Sequence, residues 1–386
     1  VGLQGWQEAQ VYPGQVARVI APAEHAGRTI ETPEENEGAN EALTALTAVP
    51  KADDAAIEAA AEALQKSHSS CLFLGGMALR ADALFEAGRI AAATGARLIT
   101  ETFCTRLQRG AGRVPVERLP YFGEQASDYL SGFDTLVYVG TKAPVSFFAY
   151  PGKPSLLAPQ SAQQVTLASV RTNALDALHR LAESLDAPPE PAVLQPRVTH
   201  AIEPGPLDAM AIGKIMANHL PANAIVSDEG ATNSLGPFLF TGSAEPHDWL
   251  MLMGGAIGQG LPVAVGAAMA CPDRKVVALQ ADGSAMYTVQ ALWTMVREQL
   301  DITVVLLNNS SYAILNIEME RVGATTPNAD AKQLLDLSNP TIDWVSVARG
   351  MGMSTVRVET VDNMDTAFVE AMNRQGPTLI EAILPS

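Results

Sequence analysis

The stretch from Lys275 to Tyr312 limits what this chain can fold into more than any other. An apolar run, Val276-Val277-Ala278-Leu279-Gln280, passes directly into Ala281-Asp282-Gly283-Ser284. A second, Ile302–Leu307, passes into Asn308-Asn309-Ser310-Ser311-Tyr312. Asp282 and Asn309 lie 27 positions apart, about one strand–helix–strand crossover. The two runs therefore read as neighbouring parallel strands with both polar ends at one edge. The same rhythm continues around them. Strands are expected at Ala224–Val226, Lys275–Leu279, Thr355–Val358 and Thr378–Ile383, and helices at Leu207–Leu220 and near 258–270, 288–299, 342–350 and 362–374. Ligands of such sheets sit at the carboxyl ends of the strands.

An earlier segment repeats the alternation. A helix is expected near 53–66, where Ile57, Ala60, Ala61 and Leu64 share a face. Strands are expected at Cys71–Leu74, Arg97–Thr100 and Thr135–Val139, and helices at Asp82 to Thr94 and Asn173–Leu185. The fold class is thus α/β with two doubly wound parallel-sheet domains, a middle domain over 51–186 and a second over 207–386. Pro188, Pro189, Pro191, Pro196, Pro204 and Pro206 mark 187–206 as an extended linker. Residues 26–50 are polar and Glu-rich and read as another linker. Residues 1–25 form a short leading piece containing the strand-like Val16-Ala17-Arg18-Val19-Ile20.

Composition excludes several functions. With 47% hydrophobic and 17% charged residues, the chain has ample apolar surface for more than one core. Its formal charge of −17, without a Lys/Arg run, argues against nucleic acid and anionic membranes as partners. The richest apolar stretch, Leu261 to Cys271, is too short to span a bilayer and carries Pro262 and Gly266. Cys71, Cys104 and Cys271 lack any Cys-x-x-Cys pairing and read as thiols of a reducing compartment. No signal-peptide pattern opens the sequence, so a cytoplasmic protein is expected. The six histidines show no metal-ligand spacing and read as surface or structural groups.

The two strand tips carry the chemistry. A carboxylate, an amide oxygen and a backbone carbonyl are hard oxygen ligands of the kind Mg²⁺ takes beside phosphates. Gly283 permits close backbone approach, Ser284 offers a hydroxyl, and the following helix presents N–H groups to an anion. Asp-Gly and Asn-Asn are also ordinary turn dipeptides. Their joint placement, each ending an apolar strand, points instead to a Mg²⁺–diphosphate site.

Asp282-Gly283-Ser284 followed by Asn309 resembles the signature of thiamine-diphosphate enzymes, in particular the acetolactate synthase and benzoylformate decarboxylase group. Gly254-Gly255-Ala256-Ile257-Gly258-Gln259-Gly260-Leu261-Pro262 extends the likeness, which covers Leu207 to the last residue well; residues 50–186 look like the family's middle domain. The resemblance implies that Asp282, Asn309 and the Ser311 carbonyl bind Mg²⁺. Gly230, Ala231, Gly283, Ser284, Tyr287 and Tyr312 would surround the diphosphate. Ile257 would wedge between the two cofactor rings, and the Gly255 carbonyl would accept from the 4′-amino group. The bent cofactor would then form its C2 carbanion and, with a 2-oxo acid, an enamine. Protonation of the enamine gives decarboxylation; addition to a second carbonyl gives acetolactate-type carboligation. Ile257 and Gly255 can also be read as core residues of a Gly-rich turn. Glu229, at a strand tip, can face the cofactor, face solvent or bond the backbone.

The sequence departs from that pattern at three places. Ala281 stands where the family has glycine. Glu318 stands where the relatives place a large aromatic in the substrate pocket; Leu315 and Glu318 are the pocket candidates, and a solvated helix face explains Glu318 equally well. The N-terminal pyrimidine-binding domain, with its catalytic glutamate, is represented only by 1–25. The expectation is a truncated product of a longer enzyme, inactive as an isolated chain, from a family of homodimers and homotetramers. FAD, which the middle domain binds in acetolactate synthases, is not expected here. Phe147-Phe148-Ala149-Tyr150-Pro151 reads as packing at a domain or subunit interface. The alternatives are a non-catalytic thiamine-diphosphate-binding partner chain and, from a third class, an FAD or NAD oxidoreductase.

Overall fold

The computed structural model describes residues 2–11, 14, 16–20, 49–150, 152–323 and 329–385. The expected linker 26–50 lies almost wholly outside them. At the start, Gly2–Gln10 is helical. The strand expected at Val16–Ile20 does not form: these residues have no regular structure, and Val16 is 98% exposed. A strand without a pairing neighbour leaves its backbone groups to water, so the apolar alternation alone cannot hold it.

Two sheets organise the rest. The first has the order β4-β2-β1-β5-β6. It consists of β1 (Ser70–Leu74), β2 (Arg97–Thr100), β4 (Glu117–Arg118), β5 (Thr135–Val139) and β6 (Gln163–Ala168), and every pairing is parallel. The second contains β3 (Leu107–Arg109), β7 (Ile225–Glu229), β8 (His247–Leu250), β9 (Val276–Ala281), β10 (Ile302–Asn308), β11 (Ser354–Val358) and β12 (Thr378–Ile383). Its order is β11-β12-β10-β9-β7-β8-β3, parallel except where β3 meets β8. Central strands β1, β5, β7 and β10 are buried along their whole length; β1, β5 and β10 accordingly read as largely apolar runs, whereas β7 buries Ser227, Asp228 and Glu229 at its end. In the second sheet, chain order reverses between β7 and β9, so the tips of those strands flank a topological switch point.

The expected helices appear as Asp54–Lys66, Ala81–Thr94, Ala174–Ser184, Ala209–His219, Gly260–Ala270, Ala291–Arg297, Trp344–Gly350 and Val361–Asn373. Four carry side-chain caps: Asn173, Asp208, Asp343 and Thr360 each accept an N–H of the first turn. The proline-rich stretch 187–206 contains neither helix nor strand. No helix among the described residues is long and apolar enough to cross a membrane.

Strand β3 is the unexpected element. It leaves the first α/β segment and adds to the edge of the second sheet, pairing Leu107–Arg109 with Trp249–His247. Arg106 and Arg274 both hold the buried Asp248 carboxylate, at 3.0 and 2.5 Å. The Arg109 guanidinium stacks on Phe238 at 4.0 Å. Beside them His247 is fully buried, its Nδ1 paired with the Glu245 carbonyl at 2.8 Å and its Nε2 without a partner. Burial, then the neighbouring Arg109 charge, pushes this imidazole down to about 3. The unfolded chain takes up the proton near pH 6.5 and the folded one does not. Stability is therefore full above about pH 6.5 and is lost toward pH 3, by up to ~1.4 kcal/mol per pH unit. Urea melts at pH 7 and 5 should show this slope, and His247→Gln should flatten it.

Candidate active site

The tips of β9 and β10 are joined by one hydrogen bond: Ser310 N–H donates to Asp282 Oδ2 at 2.8 Å. The geometry follows from the ladder, which sets Leu306 against Gln280 and Leu307 against Ala281, so the two polar ends emerge level. Ser310 has a positive φ of 54, and this left-handed bend turns the chain back toward Asp282. Of the two asparagines, Asn308 is spent on structure, donating to Glu381 Oε1 on β12 at 2.8 Å. Asn309 follows, 8% exposed, its Oδ1 accepting Ser311 N–H at 3.2 Å. Asp282 is 2% exposed, and burial pushes its carboxyl up to about 6 against the pull of neighbouring backbone N–H groups. A buried carboxylate, an amide and the Ser311 backbone make a mixed oxygen donor set that fits a hard divalent cation. Among the described residues, no cluster of three or more His, Cys, Asp or Glu side chains offers a metal site.

Gly283 is required by close approach. A Cβ there would lie 2.4 Å from Tyr312 Cε1, so the Tyr312 ring packs directly over the Asp282-Gly283-Ser284 turn. The helix that follows is a single turn, Asp282–Ala285, separate from the helix expected near 288–299, which forms as Ala291–Arg297. Its Ser284 hydroxyl is engaged, accepting from Gln280 Nε2 at 2.7 Å and donating to the Ala281 carbonyl at 3.1 Å.

The loop 253–260 lies against the same tips. Gly254, Gly255 and Gly258 take φ of 63, 64 and 93. Ile257 is 41% exposed and Tyr287 59%, so the reading of Ile257 as a core residue does not hold. A Cβ at Gly258 would stand 2.8 Å from Tyr287 Cβ, which places Tyr287 beside this turn. At β7, Gly230 has no room for a side chain beside Leu307 and Ser234, and Ala231 is exposed with a φ of 51. Glu229 is 1% exposed and bonds the backbone, accepting Gly258 N–H at 2.5 Å and Gly260 N–H. Of its three sequence readings, backbone bonding is the one found.

Leu315 is 47% exposed on helix Ala313–Arg321. Glu318, on the same helix, is not on a solvated face. Tyr150 O–H donates to its Oε2, Arg321 Nε lies 3.7 Å away, and its Oε1 is buried without a partner. Phe147 reaches the opposite side: a Cβ on Gly255 would be 2.5 Å from its ring, and it meets Phe103 and Phe148 edge-on at 5.2 and 5.0 Å. The 147–150 stretch is thus packing between the first segment and the site loops. A cavity beside β7 lies between Phe103 and Arg118 of the first segment and Asp228, Ala231 and Leu252 of the second. Sequence reasoning missed Asp228, whose buried carboxylate accepts from Gly230 N–H, Ser234 Oγ and Trp249 Nε1. The signal was two consecutive acids closing an apolar strand.

The raised carboxyl of Asp282 has a consequence for the free protein. Its folded value exceeds the ordinary 3.8, so the penalty for ionisation sets in as pH rises past 3.8, where the unfolded carboxyl ionises, and is full above about 6. Asp282→Asn keeps the acceptor for Ser310 N–H and removes the charge. The variant should unfold at higher urea than the parent at pH 7.5, by the order of 1–3 kcal/mol, with the difference vanishing near pH 4.

Comparison with known proteins agrees with this geometry. Residues 234–382 match the family described as thiamine pyrophosphate enzyme, C-terminal TPP binding domain. The acetolactate synthase large subunit-like protein IlvX of Mycobacterium tuberculosis is 45% identical over 326 residues, covering 84% of this chain and 62% of that protein. Benzoylformate decarboxylase of Pseudomonas aeruginosa is 29% identical over 195 residues, 50% of this chain and 36% of that one. The solved thiamine diphosphate-dependent 4-hydroxybenzoylformate decarboxylase of Rhodococcus jostii RHA1 superposes with a TM-score of 0.70 at 25% identity, over 90% of this chain and 67% of that one. This chain therefore spans less than two thirds of the curated relatives it matches. The tips of β9 and β10, with Asp282 and Asn309, lie within the matched TPP-binding domain, and the chain is similar to thiamine diphosphate enzymes of the acetolactate synthase and benzoylformate decarboxylase kind.

Proposed function

We propose that this chain binds Mg²⁺ and thiamine diphosphate at the tips of β7, β9 and β10 and acts on a 2-oxo acid. The observation that carries the reading is the bond joining Asp282 to the β10 tip at Ser310, which sets hard oxygen donors from two strands beside a glycine turn. Asp282, Asn309 and the Ser311 carbonyl would hold the cation. Gly230, Ala231, Gly283, Ser284, Tyr287 and Tyr312 would enclose the diphosphate. When bound, the cofactor supplies an electron sink for cleavage next to a keto carbon.

The chain's own residues prepare that site. Ile257, exposed on a loop held from beneath, would support the bent cofactor, and the Gly255 carbonyl would orient its amino group. Tyr312, packed over Gly283, shields the turn from water on one side. Leu315 and Glu318 would border the substrate, with Tyr150 fixing the Glu318 carboxyl. Decarboxylation and carboligation share these requirements, and we carry both. The working assembly would be a homodimer or homotetramer, as the family implies, and the compartment the cytoplasm.

Thermal melting tests the reading. Thiamine diphosphate with Mg²⁺ should raise the melting temperature of the parent, thiamine diphosphate with EDTA should not, and Asp282→Asn should lose the response. A shift that persists in Asp282→Asn would overturn the metal assignment. Product analysis from pyruvate then separates the reactions: acetaldehyde marks a decarboxylase and acetolactate a carboligase.

A further inference from the structure

Ile257 is exposed, yet the backbone on its C-terminal side is held by the buried Glu229 and Ser227 and the half-buried Thr288. Glu229, the last residue of β7, takes Gly258 N–H on Oε1 at 2.5 Å and Gly260 N–H on Oε2. Thr288 Oγ1 donates to the Gly258 carbonyl and Ser227 Oγ to the Gly260 carbonyl, each at 2.8 Å. Four backbone groups within three residues of Ile257 are thus fixed from neighbouring elements, and Glu229 accounts for both N–H groups. The fit leaves no slack. A Cβ at Gly260 would stand 2.8 Å from Glu229 Oε2 and 2.6 Å from Gln280 Oε1.

The choice of a carboxylate is informative. Burying one at 1% exposure is costly unless its charge is answered. Here the answer comes from the start of helix Gly260–Ala270, whose N-cap Gln259 makes no side-chain cap bond. Glu229 caps that helix from an adjacent strand, where N–H donors and the helix dipole favour an anion. Two oxygens set on two amides of one turn define its orientation, which a single-acceptor side chain cannot do.

We infer that Glu229 is a positioning residue of the cofactor site: its buried carboxylate clamps the Gly258–Gly260 turn and so sets where Ile257 stands. The inference rests on the proposed role of Ile257 toward thiamine diphosphate. Glu229 touches neither substrate nor cofactor; it acts through the loop. A clamped loop meets its ligand without first being ordered, so loosening the clamp weakens binding even though every contacting side chain remains.

The test is a double-mutant cycle on the chain, read by titration with thiamine diphosphate and Mg²⁺ and by amide hydrogen exchange. Glu229→Gln should fold, exchange its Gly258 and Gly260 amides at least ~10-fold faster, and raise the dissociation constant about tenfold. In the Ile257→Ala background the same substitution should change that constant by less than about twofold, because the residue it acts through is gone. Equal weakening in both backgrounds, or an unchanged constant despite lost protection, overturns the proposal while leaving the cofactor reading intact. If Glu229→Gln does not fold, Glu229→Asp, which keeps the charge but shortens the reach, replaces it under the same criteria. If the parent itself binds no thiamine diphosphate with Mg²⁺, the cofactor reading fails and the proposal falls with it.

Discussion

Ser310 N–H to Asp282 Oδ2 is a single hydrogen bond, but the candidate site depends on it because it ties the ends of two adjacent parallel strands. A parallel ladder delivers strand tips to a common edge at fixed spacing, so one contact between them fixes the Asp282 side chain against backbone 28 residues away in sequence. The site is then completed by the third tip, β7, across the point where strand order reverses. Asp282 is held buried and uncomfortable in the free protein, its carboxyl pushed up to about 6. Keeping a carboxylate away from water in this way costs folding stability once the group ionises.

Much of this frame was legible in the sequence for a simple reason. Strands buried on both faces must be apolar throughout, so β9 and β10 announce themselves, and the polar residues that break the runs mark the tips. The spacing between Asp282 and Asn309 added the crossover. The helix caps at Asn173, Asp208, Asp343 and Thr360 are local contacts that the periodicity alone did not single out.

What stayed hidden was non-local or carried by backbone. Glu229 meets amides 29 and 31 residues away, and a backbone N–H leaves no mark on composition. Glu318 gains Tyr150 from 168 residues upstream, which converts an apparent solvent-facing acid into a partner of the first segment. Strand β3 is three residues long and has an edge to join only once the second sheet exists. The Val16–Ile20 alternation erred in the opposite direction, since pattern without a pairing neighbour does not make a strand. The placements set by the ladder could be foreseen, and the loop residues Gly255 and Ile257 could be named, but the partners that cross the ladder to hold Glu229 and Glu318 could not.

The most direct test of the central claim is anomalous diffraction from crystals grown with Mn²⁺ and thiamine diphosphate. The account predicts one Mn²⁺ peak at the joined tips, within about 2.0–2.4 Å of Asp282, Asn309 and the Ser311 carbonyl and touching the diphosphate. A bound diphosphate with its metal elsewhere, or with none of these three residues in contact, would contradict it.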